Sequence, residues 1–95
     1  MIMSPKVILY TSSVSFGANT RSHTGSLKYI LDSKGVQYEE VDLATNRDRA
    51  EEMVKVSGGE RTLPQLHVDD TSYGGWHSVQ ELEDAGELSK VLQTA

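Results

Sequence analysis

Residues 61–75 read Arg-Thr-Leu-Pro-Gln-Leu-His-Val-Asp-Asp-Thr-Ser-Tyr-Gly-Gly, and this stretch decides the fold. It combines a strand that begins at a proline, a tight turn, a second strand and a glycine pair. Pro64 has no N–H and a fixed φ, so we expect it at the first residue of a strand or in a special turn. The residue before it, Leu63, is restricted to extended geometry. The other predicted elements are arranged around this stretch.

A β-hairpin is predicted directly after the proline. Leu66 and Val68 alternate with polar neighbours, and Tyr73 follows across a short turn, which is typical of two paired strands. The turn is Asp69-Asp70 and lacks the expected glycine. We therefore expect a positive φ at Asp70, which aspartate tolerates better than most residues.

Length, charge and composition limit the function classes. The chain has 95 residues, a formal net charge of -5 and no cysteine, which predicts one domain over residues 1–95 with a modest core. The acidic balance and the lack of a basic patch argue against nucleic-acid binding. The longest apolar run is Val7 to Tyr10, too short for a membrane span, and residues 1–6 have no signal-peptide core. A cytoplasmic location is the default expectation.

The N-terminal half predicts a strand, a helix and a second strand. Residues 6–11 form an apolar, β-branched run typical of a central strand buried on both faces. Residues 12–20 are mostly small and polar, which predicts a loop that is either functional or shortened by an early helix start. The helix is expected to end at Gly35, and its start has three competing caps, Asn19, Thr20 and Ser22. Residues 36–43 alternate, which completes a right-handed βαβ unit with parallel strands.

A second helix is predicted between this unit and the hairpin. It runs from Thr45 or Asn46 to Ser57, because Thr45 and Asp48 resemble a capping box and two glycines follow Ser57. The last helix is expected after the hairpin.

The start of the last helix is marked by a second capping-box pattern. Ser78 and Glu81 form this pattern, apolar residues then line one face, and after Gly86 a short terminal helix continues to Leu92. The predicted order of elements is therefore βαβ-α-ββ-α.

This order, together with three stretches of sequence, resembles the glutaredoxins, which have the thioredoxin fold. The stretches are residues 6–11, 34–42 and 57–66, the last together with the glycine pair Gly74-Gly75. The resemblance implies an α/β, thioredoxin-like fold of the glutaredoxin type, with a four-stranded mixed sheet flanked by helices. It also implies that the proline matching Pro64 is cis, although most X–Pro bonds are trans.

Glutaredoxin chemistry needs a thiolate in the loop after the first strand, where a helix N-terminus lowers its pKa. The matching loop offers Ser12, Ser13 and Ser15, and the chain has no cysteine. A serine hydroxyl cannot form a disulfide, and without an adjacent base it is a poor nucleophile. We therefore expect no enzyme activity, no glutathione-dependent redox catalysis and no cysteine-ligated iron–sulfur cluster.

The segment from Thr11 to Lys34 is longer than in ordinary glutaredoxins. This length and the missing redox motif resemble the SH3-domain-binding glutamate-rich-like proteins, small glutaredoxin relatives regarded as redox-inactive. The stretches that carry this second resemblance are residues 10–15, 30–38 and 48–53. Pro5 and Pro64 are the only prolines, so the chain has no PxxP ligand for an SH3 domain.

The resemblance implies a groove for glutathione around the proline and the glycine pair. In active relatives, the segment matching Thr62-Leu63-Pro64 pairs its backbone with the peptide. This chain has Trp76-His77-Ser78 where an acidic pair is usual, and Ser12 where a lysine normally helps. Ser78 and the amides after it are expected to form an anion-binding helix N-terminus. The expected groove residues are Ser12, Ser13, Arg61, Thr62, Leu63, Pro64, Gly74, Gly75, Trp76, His77 and Ser78.

Two functions from different classes fit these residues. The first is a non-enzymatic protein-interaction or assembly module that docks a protein partner with residues 12–20, the Pro64 segment and Trp76. The second is a module that keeps a glutathione groove and binds the peptide without chemistry. No other cofactor is expected. A serine-based enzyme is set aside because no base is identifiable beside Ser12 or Ser13.

Other polar and aromatic residues have simpler interpretations. The three histidines His23, His67 and His77 show no ligand spacing, so we expect no metal site. Trp76 is either an exposed anchor for a partner or a cover for the sheet edge. The acidic groups Glu39-Glu40, Glu51-Glu52 and Glu81-Glu83-Asp84 are expected to form solvated faces.

Overall fold

A computed structural model describes residues 6–12, 18–61 and 63–92 of the chain. The elements are β1 (Val7–Thr11), α1 (Ala18–Ser33), β2 (Glu39–Asp42), α2 (Arg49–Val56), β3 (Gln65–Val68), β4 (Thr71–Ser72), α3 (Trp76–Asp84) and α4 (Leu88–Val91). The predicted order is confirmed, and the last helix is divided in two at Gly86. Within the described ranges, none of the helices has the length and apolar composition that crossing a bilayer requires.

The four strands form one mixed sheet in the order β2-β1-β3-β4. β1 is parallel to β2 and antiparallel to β3, and β4 pairs antiparallel with β3. All five residues of β1 are buried, which confirms the expected central strand. The thioredoxin-like arrangement implied by the resemblance is therefore present.

The sheet separates a large core from a small one. The large cluster contains Val7, Leu9, Leu27, Leu31, Leu66, Val68, Val79, Leu88 and Leu92, which places α1, α3 and α4 on one face. The small cluster contains Ile8, Tyr10, Val41 and Met53, which places α2 on the other face. Because successive residues of a strand point to opposite faces, β1 contributes to both clusters.

The first helix begins earlier than its possible caps suggested. α1 starts at Ala18, inside the segment predicted as a loop, so an early helix start shortens that loop. Its end is as predicted, because Gly35 has a φ of 69°. The N–H of Val36 donates to the Leu31 carbonyl and that of Gly35 to the Asp32 carbonyl, the bond pattern of a Schellman C-cap. Residues 13–17 lie outside the described residues.

The second helix begins later than predicted, at Arg49. Asp42 accounts for the difference, because its carboxylate accepts the Ala44 N–H at 3.0 Å and its carbonyl accepts the Asn46 N–H at 2.9 Å. Local side-chain bonds of this kind favour turns over helix. The prediction of a capping box at Thr45 and Asp48 is wrong. Asp48 is itself the N-cap residue, and it makes no side-chain cap bond.

The hairpin turn has two left-handed residues rather than one. Asp69 has a φ of 50° and Asp70 a φ of 64°. A two-residue type I′ turn needs a positive φ at both central positions, so the expectation for Asp70 alone was incomplete. The Asp69 carboxylate also accepts the Lys6 N–H at 2.9 Å, which ties the turn to the start of β1.

Candidate binding groove

The segment that enters β3 and the segment that leaves β4 meet beside α3. The Leu63–Pro64 peptide bond is cis, as the resemblance implied, and the Pro64 side chain is fully buried. On the other side, Gly74 has a φ of 80°, and Gly75 is extended and acts as the N-cap of α3. Both segments therefore approach the first turn of α3.

α3 begins at Trp76, two residues before the predicted capping box at Ser78. The Gly75 carbonyl accepts the Val79 N–H at 3.1 Å and so closes the first helical turn. Ser78 lies inside this turn and is not the cap, so the prediction was wrong. The amides left without helical partners belong to Trp76, His77 and Ser78 instead of to residues after Ser78.

A groove of about 330 Å³ lies at this meeting point. We call it the proline groove; it is lined by His23, Glu60, Leu63, Pro64, Gly74, Gly75, Trp76, His77 and Ser78. Most of the predicted groove residues are therefore brought together. Trp76 is partly buried and packs against the large core, so it both lines the groove and covers the sheet.

Other predicted residues lie elsewhere. Ser12 lines a separate cleft of about 270 Å³, together with Arg21, Lys28 and Glu40. Arg61 is exposed and does not line the proline groove. Ser13, Ser15 and Thr62 lie outside the described residues.

Two residues of the proline groove were missed by the sequence analysis. His23 of α1 lies in ring contact with His77 of α3, with centroids 5.2 Å apart and planes at 77°. Glu60 reaches the groove from the turn after α2. No local signal joins these residues, because α1, the turn after α2 and α3 are far apart in the sequence and meet only in the folded chain. Among the described residues, no group of three or more His, Asp or Glu side chains could hold a metal ion.

A second and larger groove adjoins the proline groove. We call it the edge groove; it measures about 830 Å³ and is lined by Val56, Ser57, Glu60, Asp70, Thr71, Ser72, Tyr73, Gly74, Ser78, Glu81 and Leu82. Glu60, Gly74 and Ser78 line both grooves, so the two are continuous. No pattern in the sequence predicted the edge groove.

The α2 face of the sheet carries a polar network outside both grooves. Arg49 contacts Glu39 at 3.1 Å and Glu52 at 2.8 Å, and it lowers the pKa of both carboxylates. Burial, and then the hydrogen bond to Glu52, raises the pKa of the Tyr10 hydroxyl above its usual range. On the opposite face, Lys28 of α1 pairs with Glu40 at 2.8 Å, and this contact raises the lysine pKa. Four of the seven acids expected on solvated faces, Glu39, Glu40, Glu52 and Glu83, therefore contact a base.

Residues 7–73 match the protein-family model described as Glutaredoxin. Glutaredoxin 1 of Rickettsia conorii is 37% identical over 67 residues, which are 70% of this chain and 66% of that protein. The match thus spans just under two thirds of the Rickettsia protein. Glutaredoxin 3 of Escherichia coli K12 is 36% identical over 66 residues, 70% of this chain and 78% of that protein.

Two solved structures illustrate the likeness of the fold. The complex of buckwheat glutaredoxin with glutathione has a TM-score of 0.74 at 18% identity, covering 94% of this chain and 77% of that one. The Candida albicans actin interacting protein Aip5 has a TM-score of 0.75 at 25% identity, covering 93% of this chain and 88% of that one. At 18% identity, the first likeness concerns the fold alone.

Proposed function

The chain belongs to the glutaredoxin family, and we propose that it is a non-enzymatic module of that family which binds a protein partner. The observation that carries the proposal is a groove of the family type in a chain without cysteine. Thiol–disulfide exchange begins with attack by a thiolate and passes through a mixed disulfide. None of the 95 residues can supply that sulfur, so the groove is left with binding as its role.

The composition of the proline groove supports protein binding. Its surface combines apolar side chains of Leu63 and Trp76 with the polar groups of His77 and Ser78. Binding sites are commonly concave and largely apolar with a few placed polar groups, and tryptophan is enriched where binding energy concentrates. The likeness to Aip5 is further support, because that protein is named for a protein it interacts with. The partner of this chain is not identified by that likeness.

A site-specific photo-crosslink tests the proposal. His77, which is exposed and lines the proline groove, is replaced by p-benzoylphenylalanine in cells of the source organism. Lys55, exposed on α2 and outside that groove, carries the same group as a matched control. We expect a protein adduct from position 77 and not from position 55, followed by reconstitution with the purified partner. Equal adducts at both positions, or no adduct at either, would overturn the proposal.

The absence of redox activity is tested separately. In a glutathione-coupled disulfide reduction assay, the purified chain is expected to give the rate of the protein-free blank. A rate above the blank that is proportional to protein concentration would contradict a non-enzymatic role.

Glutathione binding without chemistry is the second candidate function. The cis Leu63–Pro64 bond beside Gly74 and Gly75 favours it, because the resemblance implies that this arrangement pairs with the peptide backbone. Amide NMR titration with reduced glutathione to millimolar concentration tests it, with N-acetylcysteine as a control that lacks the γ-glutamyl and glycyl groups. Saturable shifts at Leu63, Gln65 and residues 74–78 with glutathione alone would favour this candidate. Unchanged amides would exclude it in that range.

Three further assignments remain proposals. The resemblance to the SH3-domain-binding glutamate-rich-like proteins supports placing the chain near that group. Length, charge and composition support the proposals of a single domain over residues 1–95 and of a cytoplasmic location. Limited proteolysis tests the single domain, and imaging of a fluorescent fusion tests the cytoplasmic location.

A further inference from the structure

We propose that the edge groove binds an extended, basic peptide segment of the partner, which adds a strand to the free edge of β4. This inference rests on the proposed function and names the kind of segment that is bound. Four features of the groove carry it: an open strand edge, unpaired carboxylates, an apolar contact surface and continuity with the proline groove.

The open edge follows from the sheet topology. β4 is the last strand in the order β2-β1-β3-β4, so among the described strands β3 alone pairs with it. Ser72 lies opposite His67, and the next residue, Tyr73, donates its N–H to the Leu66 carbonyl at 2.8 Å. Because hydrogen-bonded and non-hydrogen-bonded pairs alternate in an antiparallel ladder, the N–H and C=O of Ser72 point away from β3. An extended peptide can pair with these two groups.

The charge of the groove selects a basic occupant. Asp70 and Glu81 are exposed, and neither makes an ion pair with any described residue. Glu60 is a third carboxylate in the lining, and no lysine or arginine is part of it. Elsewhere Glu39, Glu40, Glu52 and Glu83 each contact a base. Asp70 and Glu81 thus provide two exposed carboxylates without an ion pair beside the β4 edge.

The groove also offers an apolar surface. Val56 is 37% exposed at its margin, and Tyr73 and Leu82 are partly buried within it. In a strand, alternate side chains point to the same face. A segment with alternating basic and apolar residues would therefore place its basic side chains near Asp70 and Glu81 and its apolar ones on this surface. The shared lining at Gly74 lets such a segment continue toward the proline groove.

Other occupants fit less well. Two copies of the chain would repel each other, because each has the same acidic edge and a net charge of -5. An intramolecular occupant would have to come from residues outside the described ranges, and residues 1–5, 13–17, 62 and 93–95 contain no lysine or arginine. A basic segment of another protein is the occupant that the charges favour.

The test is an amide NMR titration with the acetylated and amidated peptide KVRVK, and with EVEVE as the acidic counterpart. With KVRVK we expect saturable shifts at Val56, Thr71 to Gly74 and Glu81, and none with EVEVE. The double variant Asp70→Asn/Glu81→Gln is expected to weaken binding about tenfold, since two surface ion pairs are lost.

Two variants separate the site from general charge attraction. Asp48→Asn/Glu51→Gln removes the same charge from two exposed positions, the N-cap of α2 and its first turn, and is expected to leave the affinity within about twofold. Ser72→Pro removes the outward N–H at an edge position where proline is tolerated, and is expected to abolish the shifts at Thr71 to Gly74. The amide spectrum of each variant without peptide checks that the fold is intact.

Several results would overturn the inference. These are no saturable shift with KVRVK, equal loss of affinity in both charge variants, equal binding of EVEVE, or concentration-dependent self-association through β4. If an adduct forms at position 77 while KVRVK leaves the β4 edge unchanged, the edge inference fails and the proposed function stands. If the crosslink also fails, both fail.

Discussion

The hydroxyl of Tyr10 donates a 2.6 Å hydrogen bond to the carboxylate of Glu52, which joins the central strand β1 to α2. The second oxygen of that carboxylate accepts the Arg49 Nε–H at 2.8 Å. Met53 is the one described residue of α2 that is fully buried, so this helix has little apolar anchorage of its own. The polar network therefore contributes to holding α2 against the sheet.

Tyr10→Phe is expected to lower the free energy of unfolding by about 1–2 kcal/mol, because a hydrogen bond to a charged group is lost while the buried ring is kept. Urea denaturation measures the change. Tyr29→Phe is the matched control, since the Tyr29 side chain is 75% exposed. We expect no measurable effect there, and equal effects of the two substitutions would contradict a stabilising role for the Tyr10–Glu52 bond.

The contribution of Glu52 should depend on pH. Arg49, and then the Tyr10 hydrogen bond, lower the Glu52 pKa in the folded state below its ordinary value of 4.5. A lowered carboxyl pKa stabilises the fold above the unfolded pKa, and this stabilisation is lost as the pH falls through the folded pKa. The stability difference between wild type and Glu52→Gln should therefore be largest at neutral pH and shrink below about pH 4.5.

Urea midpoints measured between neutral pH and about pH 3 check this expectation. Glu51→Gln is the neighbouring control, because Glu51 is exposed and makes no ion pair with a described residue. A difference between wild type and Glu52→Gln that stays constant over the whole range would show that the ionised carboxylate is not stabilising.

His67 should resist protonation. Its side chain is 2% exposed, it meets the Tyr10 ring edge-on at 4.8 Å, and its Nε2 lies 2.5 Å from the Gln65 Oε1. Burial lowers the His67 pKa from the ordinary value of 6.5. The unfolded chain then binds the proton more readily, so this residue removes stability as the pH falls below 6.5, until the folded pKa is passed.

An NMR titration of the imidazole C–H signals gives the His67 midpoint directly. We expect it below the midpoint of an unstructured histidine peptide in the same buffer. A midpoint at or above the peptide value would mean that the folded state stabilises the imidazolium, and the sign of the pH dependence would reverse.

The elements that the sequence predicted well depend on local sterics. An apolar run gave β1, a glycine in the left-handed region ended α1, and the proline began β3. Each of these effects acts within a few residues, so no tertiary information is needed. The cis bond at Pro64 is different, since only the resemblance to glutaredoxins implied it.

The errors arose where several local solutions compete or where distant elements meet. Serine is favoured at helix N-caps, which is why Ser78 was predicted as one. The extended Gly75 is the N-cap instead, so α3 begins two residues earlier than predicted, at Trp76. Asp42 accepts the amides of Ala44 and Asn46, and these bonds favour a turn over the helix start predicted at Thr45 or Asn46. The contact between His23 and His77, and the edge groove, depend on how α1, α3 and β4 pack, which no local pattern encodes.

The junction of the two grooves depends on the absence of a side chain at Gly74. A Cβ built there would lie 2.9 Å from the Ser78 Oγ and 3.1 Å from its Cβ, and Gly74 has a φ of 80°. Gly35 has a similar φ of 69°, but a Cβ there meets nothing within 4 Å. Both positions carry the backbone cost of a left-handed alanine, which is about 1–2 kcal/mol. Gly74→Ala should therefore be more destabilising than Gly35→Ala, by about 1 kcal/mol or more for the added steric conflict.

Urea denaturation of both variants measures this difference, and Ser78→Gly completes a double-mutant cycle with Gly74→Ala. Because removal of the Ser78 side chain relieves the conflict, the double variant should be more stable than the sum of its single changes predicts. Additive effects, or equal costs at positions 74 and 35, would show that a side chain at position 74 causes no steric conflict with Ser78. In that case the peptide path from the β4 edge to Pro64 would not depend on this close approach.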